Sequence, residues 1–436
     1  MSTAPGASAP LPPEVVHAQP EVTRASGSPP WTPLAPPRRA MAALIAMSFA
    51  GFIFVTNEIA PLGLIKLMAK DLGRSESQIG LVVTGFAAVI VIASVPFAIA
   101  LRRVQRRVVI GGALATLAVG ALVVALSESF ELLLVGRLIS ALGQAAFWAV
   151  ANPTAGALFP PGIRGKVTAR MLIGTSAAGV VGLPAVTRLG QVTDWQTPFF
   201  VIAAVAAVLA VLTWVLIPSY QPDAGAGSRA PDPSRRRFAA ILAVVTLSAG
   251  ATAVTFTYVT PFFVDVTGVP EGTVPLLLLV SGLFGVAGIL TVGRFLDRFP
   301  LRTVAVVLVV LLAVWTVMFV GGATFWVAFP MMLAQNFAWS CFVAAGVNRI
   351  MRHAPGSLDV GVASNASMYN VGTMLGSLLG AGLLASVGAQ WLPAVSAVAM
   401  AVAIAVLGFE WHRLAGGQIP SRAQVVARVR RSAPGS

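Results

Sequence analysis

Charged residues are scarce in this chain of 436 residues. Only 10% of its residues are Asp, Glu, Lys or Arg, whereas 57% are hydrophobic and the mean hydropathy is +0.86. Soluble domains carry about 25% charged residues, so a soluble globule of this length is excluded. The one cysteine, Cys341, cannot form an internal disulfide, and the three histidines form no Cys/His cluster of the kind that binds zinc. No metal and no cofactor are therefore expected.

Long apolar runs recur along the chain instead. Each approaches or exceeds the ~20 residues with which a helix crosses a bilayer. The solid run at 201–215 lacks the alternation of a membrane β-strand. The sequence therefore predicts an all-α integral membrane protein with twelve transmembrane helices. The predicted spans are 41–64, 79–101, 108–127, 131–158, 167–189, 198–218, 238–262, 272–293, 303–322, 324–350, 360–386 and 391–411.

The predicted spans divide evenly into two bundles of six helices. The N-terminal bundle occupies 41–218 and the C-terminal bundle 238–415, and a cytoplasmic linker at 219–237 joins them. Residues 1–40 are rich in Pro, Ala and Ser, which is typical of a disordered tail. Residues 416–436 are predicted to form a basic cytoplasmic tail.

Lysine and arginine set the predicted orientation, because they concentrate on the cytoplasmic side of membrane proteins. With both termini in the cytoplasm, most of these residues fall inside. The exceptions are Arg137, within a span, and the four on the outer side, Lys66, Lys70, Arg74 and Arg188. This asymmetry accounts for the net charge of +14, so the basic composition does not require a nucleic-acid partner.

The inner turn between the second and third helices of each bundle carries a repeated basic pattern. In the second bundle it contains Gly293, Asp297, Arg298 and Arg302, whereas the first bundle has Arg102 in place of the acid. Glycine permits close helix approach, and an aspartate can accept hydrogen bonds from an arginine or a helix N-terminus. The pattern favours a gating latch at the inner face. The alternative is that these charges only set the topology.

This turn, present twice in a protein of six plus six helices, resembles the G-x-x-x-D-R-x-x-x-R signature of the major facilitator superfamily. The resemblance covers residues 41–411. Further segments are similar to the bacterial sugar-efflux and arabinose-efflux-permease branch of the drug:proton antiporters. They contain Thr56, Asn57, Glu58, Pro61 and Gly63; Gly136, Arg137, Gln144, Phe147 and Trp148; Gly174, Gly182, Pro184, Gly190, Gln191 and Trp195; and Tyr258 and Pro261.

Three positions depart from the pattern of that branch. Gln144 stands where the branch usually has His, so no titrating role is expected there. Val186 replaces a glycine of the antiporter motif and is followed by Arg188, and Arg102 replaces an acid. The resemblance still implies a twelve-helix secondary transporter that exports its substrate by alternating access.

Two ionisable residues are predicted inside the membrane, where such groups are costly and usually functional. Glu58 and Arg137 fall at similar depth in the first and fourth spans. A carboxyl group in a low dielectric binds a proton readily, while a neighbouring arginine favours the charged form. We expect this pair to couple transport to protons. The alternatives are a carboxylate at a helix end in the outer interface and an arginine that snorkels to the surface.

The fifth span is predicted to seal the two halves against leak. Gly174, Ala178 and Gly182 lie four residues apart on one face, and Pro184 permits a bend. The alternative is close helix packing alone. Packing is the favoured reading for the glycines of the eighth and eleventh spans.

Polar and aromatic residues deep in the spans are the predicted lining of a substrate cavity. Amides and phenols suit hydroxyl-bearing solutes, and aromatic faces suit sugar rings or drug scaffolds. The alternative is that these residues only bond to neighbouring helices. The candidates are Asn57, Gln144, Phe147, Trp148, Asn152, Thr257, Tyr258, Gln335, Asn336, Trp339, Tyr369 and Asn370.

Together these features predict a proton-coupled antiporter that exports small neutral organic solutes, either sugars or drugs. The expected location is the cytoplasmic membrane of a bacterium, as a multi-pass monomer whose partners are the solute, protons and the lipid bilayer. No enzymatic activity is expected. Gly165-Lys166 is followed by Val167 rather than Ser or Thr, so no nucleotide is expected either. The alternatives are an importer, an uncoupled facilitator and a non-transporting membrane sensor.

Overall fold

A computed structural model describes residues 34–160, 163–219, 230, 232–296, 300–356 and 358–412. These residues are almost entirely helical, which confirms the all-α prediction for the described part of the chain. The first half contains α1 (Pro37–Asp71), α2 (Glu76–Ala100), α3 (Arg106–Ala125), α4 (Phe130–Ala157), α5 (Arg164–Ala177), α6 (Leu183–Val192) and α7 (Thr197–Leu216). The second half contains α8 (Arg235–Phe256), α9 (Val259–Pro261), α10 (Val274–Leu296), α11 (Pro300–Gly321), α12 (Phe325–His353), α13 (Leu358–Ser386) and α14 (Leu392–Glu410).

Eleven helical stretches within the described residues are long and apolar enough to cross a membrane. They correspond to every predicted span except the fifth. The fifth span consists of α5, a π-helix at Ala178–Gly182 and α6, which are assigned as three shorter pieces. The count of twelve spans and the cytoplasmic position of the termini therefore stay predictions. Both predicted tails lie almost wholly outside the described residues.

Helix α1 is longer than the predicted first span. It starts at Pro37, in the first-turn position that proline favours, and continues to Asp71 instead of ending at 64. Glu58 therefore lies about 20 Å before the end of the helix, at ~1.5 Å per residue. This placement contradicts the alternative of a carboxylate at a helix end.

Helix α8 ends early because of a proline one turn further on. Pro261 has no N–H to donate to the carbonyl of Thr257, and its ring crowds that carbonyl. The helix accordingly stops at Phe256, and Tyr258 adopts φ −111° and ψ 29°. The chain then resumes as α9 and a π-helix at Phe262–Val266. The seventh span is thus broken near its predicted outer end rather than continuous.

Glycines hold the helices of each half close together. A methyl group added at Gly174 would overlap the Ser48 carbonyl of α1, and one added at Gly182 would overlap the Thr56 hydroxyl. On α13, methyl groups at Gly372 and Gly376 would overlap carbonyl oxygens of α8. The packing reading of these small residues is therefore supported, including on the fifth span, where a sealing role stays a prediction.

The two halves meet along α2 and α13 and along α6 and α10. The described hydrogen bonds between them all lie toward the end of the bundle that carries 72–75, which we call the predicted outer end. We call this set the outer seal. It comprises Thr84–Ser377 at 2.8 Å, Ser77 to the Ala381 carbonyl at 2.6 Å, Thr260 to the Leu62 carbonyl at 2.7 Å, Gln191 to the Glu271 carbonyl at 2.7 Å, and the Lys66–Asp265 ion pair at 2.7 Å.

Candidate functional site

Glu58 lies in the interior of the first half, partly buried, and is bonded to Gln144. The Gln144 amide donates from Nε2 to Glu58 Oε2 at 2.6 Å. Gln144 is itself 3% exposed, and its other amide atom, Oε1, is buried with no hydrogen-bond partner. Residue 144, from which no titrating role was expected, is therefore the direct partner of the candidate proton site.

Arg137 is fully buried and anchors the backbone of α1 beside Glu58. Its guanidinium donates from Nη1 to the Asn57 carbonyl and from Nη2 to the Glu58 carbonyl, the latter at 2.9 Å. The Asn57 carbonyl needs such a donor, because Pro61 stands four residues on and has no N–H. The guanidinium also lies 4.4 Å from the centroid of the Phe86 ring. Arg137 does not snorkel to the surface.

Aromatic residues of the first half lie one helical turn from this pair, Phe54 before Glu58 on α1 and Phe147 after Gln144 on α4. Phe147 stacks on Phe54 with 4.8 Å between ring centroids, and Trp148 meets Phe147 edge-on at 5.0 Å. Asn57, one residue before Glu58, is fully buried, and neither atom of its side-chain amide has a hydrogen-bond partner. The structure thus brings Gln144 into contact with Glu58, and Phe147 and Trp148 follow on the next turn of α4.

The second half contributes a smaller aromatic group that faces the same region. The rings of Trp339 and Tyr369 lie 6.1 Å apart, and Trp339 stacks on Phe342 at 5.4 Å. Tyr369 on α13 also lies close enough to Glu58 for the two side chains to interact electrostatically. Glu58 is therefore near the plane where the halves meet, with candidate cavity residues on both sides.

Other candidate cavity residues have different neighbours. Tyr258 is fully buried and donates from Oη to the Ser377 carbonyl at 3.0 Å, against Gly80 of the first half. Asn336 and Asn370 donate to carbonyls of their own helices. The remaining candidates are Thr257, buried at the break after α8; Gln335, buried on α12; and Asn152, partly buried on α4 with Oδ1 unpartnered.

The predicted latch at the inner turn is only partly described. Asp297 and Arg298 lie outside the described residues. Gly293 is exposed near the end of α10, and a Cβ added there would meet open space. Arg302 belongs to the first turn of α11. Pro184, in the other predicted gate, occupies the first turn of α6 directly after the π-helix. The latch therefore stays a prediction.

Sequence reasoning missed two charged clusters at the ends of the bundle. Lys66 pairs with Glu76 of α2 at 2.9 Å and with Asp265 of the second half at 2.7 Å. At the opposite end, Arg349 and Glu410 form a buried ion pair beside a cavity of about 320 Å³. The available signal was a charged residue within the last turns of an apolar run, at Lys66, Arg349 and Glu410.

Comparison with known proteins identifies the family. The sequence profile of the Major Facilitator Superfamily matches residues 47–358 and 242–431. The chain belongs to the major facilitator superfamily. It is therefore a multi-pass membrane protein of a transporter family, and the resemblance drawn from its motifs is confirmed at this level.

Curated relatives extend the similarity to the sugar-efflux branch. A probable sugar efflux transporter from Helicobacter pylori strain P12 is 26% identical over 377 residues, which cover 86% of this chain and 95% of that protein. A protein of the same description from Pasteurella multocida strain Pm70 is 27% identical over 350 residues, covering 79% and 85% of the two chains. A third, from Mannheimia succiniciproducens, is 28% identical over 370 residues, covering 83% and 91%.

Solved structures share the superfamily fold at low sequence identity. A peptide transporter superposes with a TM-score of 0.70 at 11% identity, covering 84% of this chain and 93% of that one. A nucleoside transporter gives 0.66 at 15% identity, with coverage of 85% and 99%. A bacterial homolog of the lysosomal transporter Spinster, solved inward-facing and unoccupied, gives 0.63 at 15% identity, with coverage of 86% and 95%.

Proposed function

We propose that this member of the superfamily exports small neutral organic solutes, sugars first among them, in exchange for protons. The site of action is the cytoplasmic membrane of a bacterium. The observation that carries the proposal is the Glu58 carboxylate, held in the interior by the Gln144 amide next to a fully buried arginine. Ionisable groups within spans are costly and mark ion pathways.

The surroundings of Glu58 support a neutral solute. The guanidinium of Arg137 is engaged by backbone carbonyls of α1, and the other described polar groups near Glu58 are the Gln144 amide and the Tyr369 phenol. Each half also carries a pair of neighbouring aromatic rings there, Phe54–Phe147 and Trp339–Tyr369. Unpartnered polar groups are destabilising unless they gain partners, and the amide oxygen of the partly buried Asn152 on α4 is one of them among the described residues. The hydroxyls of a sugar can supply such partners. The names of the curated relatives favour sugars over drugs and export over import.

Alternating access explains how one carboxyl group can couple the two fluxes. The halves are joined at the predicted outer end, so the described arrangement is closed on that side, as alternating access requires of one of its states. Glu58 lies near the plane between the halves and can exchange its proton with whichever side is open. Proton entry would then drive solute exit.

The test uses purified protein in liposomes with an imposed pH gradient and an internal pH dye. Arabinose, hexoses, nucleosides and amphiphilic antibiotics are added one at a time. We expect a sugar to accelerate proton movement and Glu58→Gln to abolish that effect. Glu128→Gln, at an exposed carboxylate between α3 and α4, is the control that should leave it intact.

Two results would overturn the proposal. If Glu58→Gln still moves solute uphill on a pH gradient, Glu58 is not the coupling group. If labelled sugars cross the membrane with no proton response, the protein is a facilitator or couples to another ion.

A further inference from the structure

Gln144 and Arg137 of α4 contact different parts of α1 at Glu58, the side chain and the backbone respectively. They lie seven residues apart on α4, which is about two helical turns, so both point from the same face of the helix. Arg137 donates to backbone carbonyls, including that of Glu58 itself, whereas Gln144 donates to the carboxylate. The backbone is therefore fixed independently of the side chain. Among the described contacts, only Gln144 has a direct bond that depends on whether Glu58 is charged.

The chemistry of an amide suits both protonation states of a carboxyl group. An ionised carboxylate can only accept hydrogen bonds, so it must face the amide N–H. A protonated carboxyl also donates through its O–H, for which the amide oxygen is the acceptor. In the structure Nε2 faces Glu58, and Oε1 is buried without a partner. A half-turn of the terminal amide would exchange the two atoms.

We propose that Gln144 is the positioning residue that sets the proton affinity of Glu58. It offers Nε2 to the carboxylate and, after rotation of the amide, Oε1 to the protonated acid. The inference rests on the proposed function only in taking Glu58 as the proton site. Because the amide itself does not ionise, Gln144 makes the site one that binds a single proton.

The direction of the effect follows from the strengths of the two bonds. A hydrogen bond to a charged group is roughly twice as strong as a neutral one. Gln144 therefore stabilises the charged form of Glu58 more than the protonated form. The other charged or titratable groups that the described part of the chain places within electrostatic reach of Glu58 are Arg137 from α4 and Tyr369 from α13. Neither provides a side-chain hydrogen bond to the carboxylate among the described contacts.

Infrared titration of the purified protein tests this without a substrate. The carboxylic acid band of Glu58 is assigned by its loss in Glu58→Gln, and its area is followed against pH. We expect Gln144→Met to move the midpoint to higher pH by about one unit, a change of about tenfold in proton affinity. Thr213→Val, which removes a buried hydroxyl bonded to the Leu209 carbonyl within α7, should leave the midpoint unchanged.

A second readout separates positioning from packing. Solute-driven proton movement in liposomes should show the same shift of its pH profile in Gln144→Met, while in the Glu58→Gln background the Gln144 substitution should cause no further change. An acid band whose midpoint is the same in the wild type and Gln144→Met would overturn the inference and leave proton coupling at Glu58 intact. Absence of any Glu58 band that titrates would instead overturn the proposed function.

Discussion

At the scale of single residues, the site depends on a proline and an arginine that compensate for each other. Pro61 leaves the Asn57 carbonyl without its helical donor, and Arg137 supplies one from α4. The positions of Glu58 and Arg137 within their predicted spans were enough to place both residues at the same depth in the membrane. The Gln144–Glu58 bond could not be predicted, because α1 and α4 are apolar on most faces and show no periodicity that fixes their relative rotation.

Arg137→Lys should weaken the protein even though the charge is kept. A guanidinium reaches two carbonyls at once from a planar fork, whereas an ammonium is a single point of donation. Loss of one charge-assisted bond should lower the free energy of unfolding by about 1.5–3 kcal/mol. Denaturation in mixed micelles followed by tryptophan fluorescence measures it. Arg188→Lys, at an exposed arginine, is the control, and equal losses in both variants would contradict the anchoring role.

At the scale of helices, the breaks are more informative than the regular stretches. Pro261 predicts the end of α8 by its position alone, yet the seventh span was read as continuous because its apolar composition does not change at the break. The π-helix in the fifth span carries no such signal in Ala178–Gly182. The break after α8 places Tyr258 at the interface, where its ring fills the space that Gly80 leaves on α2.

Gly80→Ala should open the predicted outer end. The added methyl would overlap Tyr258 Oη, so the ring must move and its bond to Ser377 must break. Overpacking of this kind costs about 1–3 kcal/mol. The cost destabilises only the state in which the outer end is closed, because Gly80 and Tyr258 belong to different halves. Spin labels at Lys70→Cys and Ala385→Cys, in a Cys341→Ser background, should report longer distances. Gly85→Ala on the same helix should not lengthen these distances. A Cβ added at Gly85 would lie 3.3 Å from a methyl group of Leu134, a flexible side chain of the same half.

At the scale of the whole molecule, the division into two bundles came from counting apolar runs, and its boundaries stay a prediction. The outer seal was not predictable, because its partners are far apart in sequence. Lys66 and Asp265, for example, are separated by 199 positions. No local pattern links such residues: Lys66 stands out as a basic residue on the predicted outer side, but nothing in the sequence points from it to Asp265. Only the folded arrangement shows that Lys66 bridges the halves.

Asp265→Asn should raise the fraction of molecules that are open at the predicted outer end by a modest factor. The carboxylate is about half exposed, and ion pairs of this kind contribute about 0.2–1 kcal/mol, which corresponds to a factor of up to about five. The same spin-label pair measures the change. Glu131→Gln removes an ion pair with Arg74 inside the first half and should have no effect. Equal responses in both variants would show that surface charge in general, rather than this bridge, controls opening.

The composition of the outer seal determines how strongly it responds to dissolved salt. Of its five described contacts, four are neutral hydrogen bonds and one is an ion pair. Dissolved salt screens exposed charges but leaves neutral hydrogen bonds largely unaffected. Transfer of the protein from fresh water to brine should therefore leave the balance between a closed and an open outer end nearly unchanged.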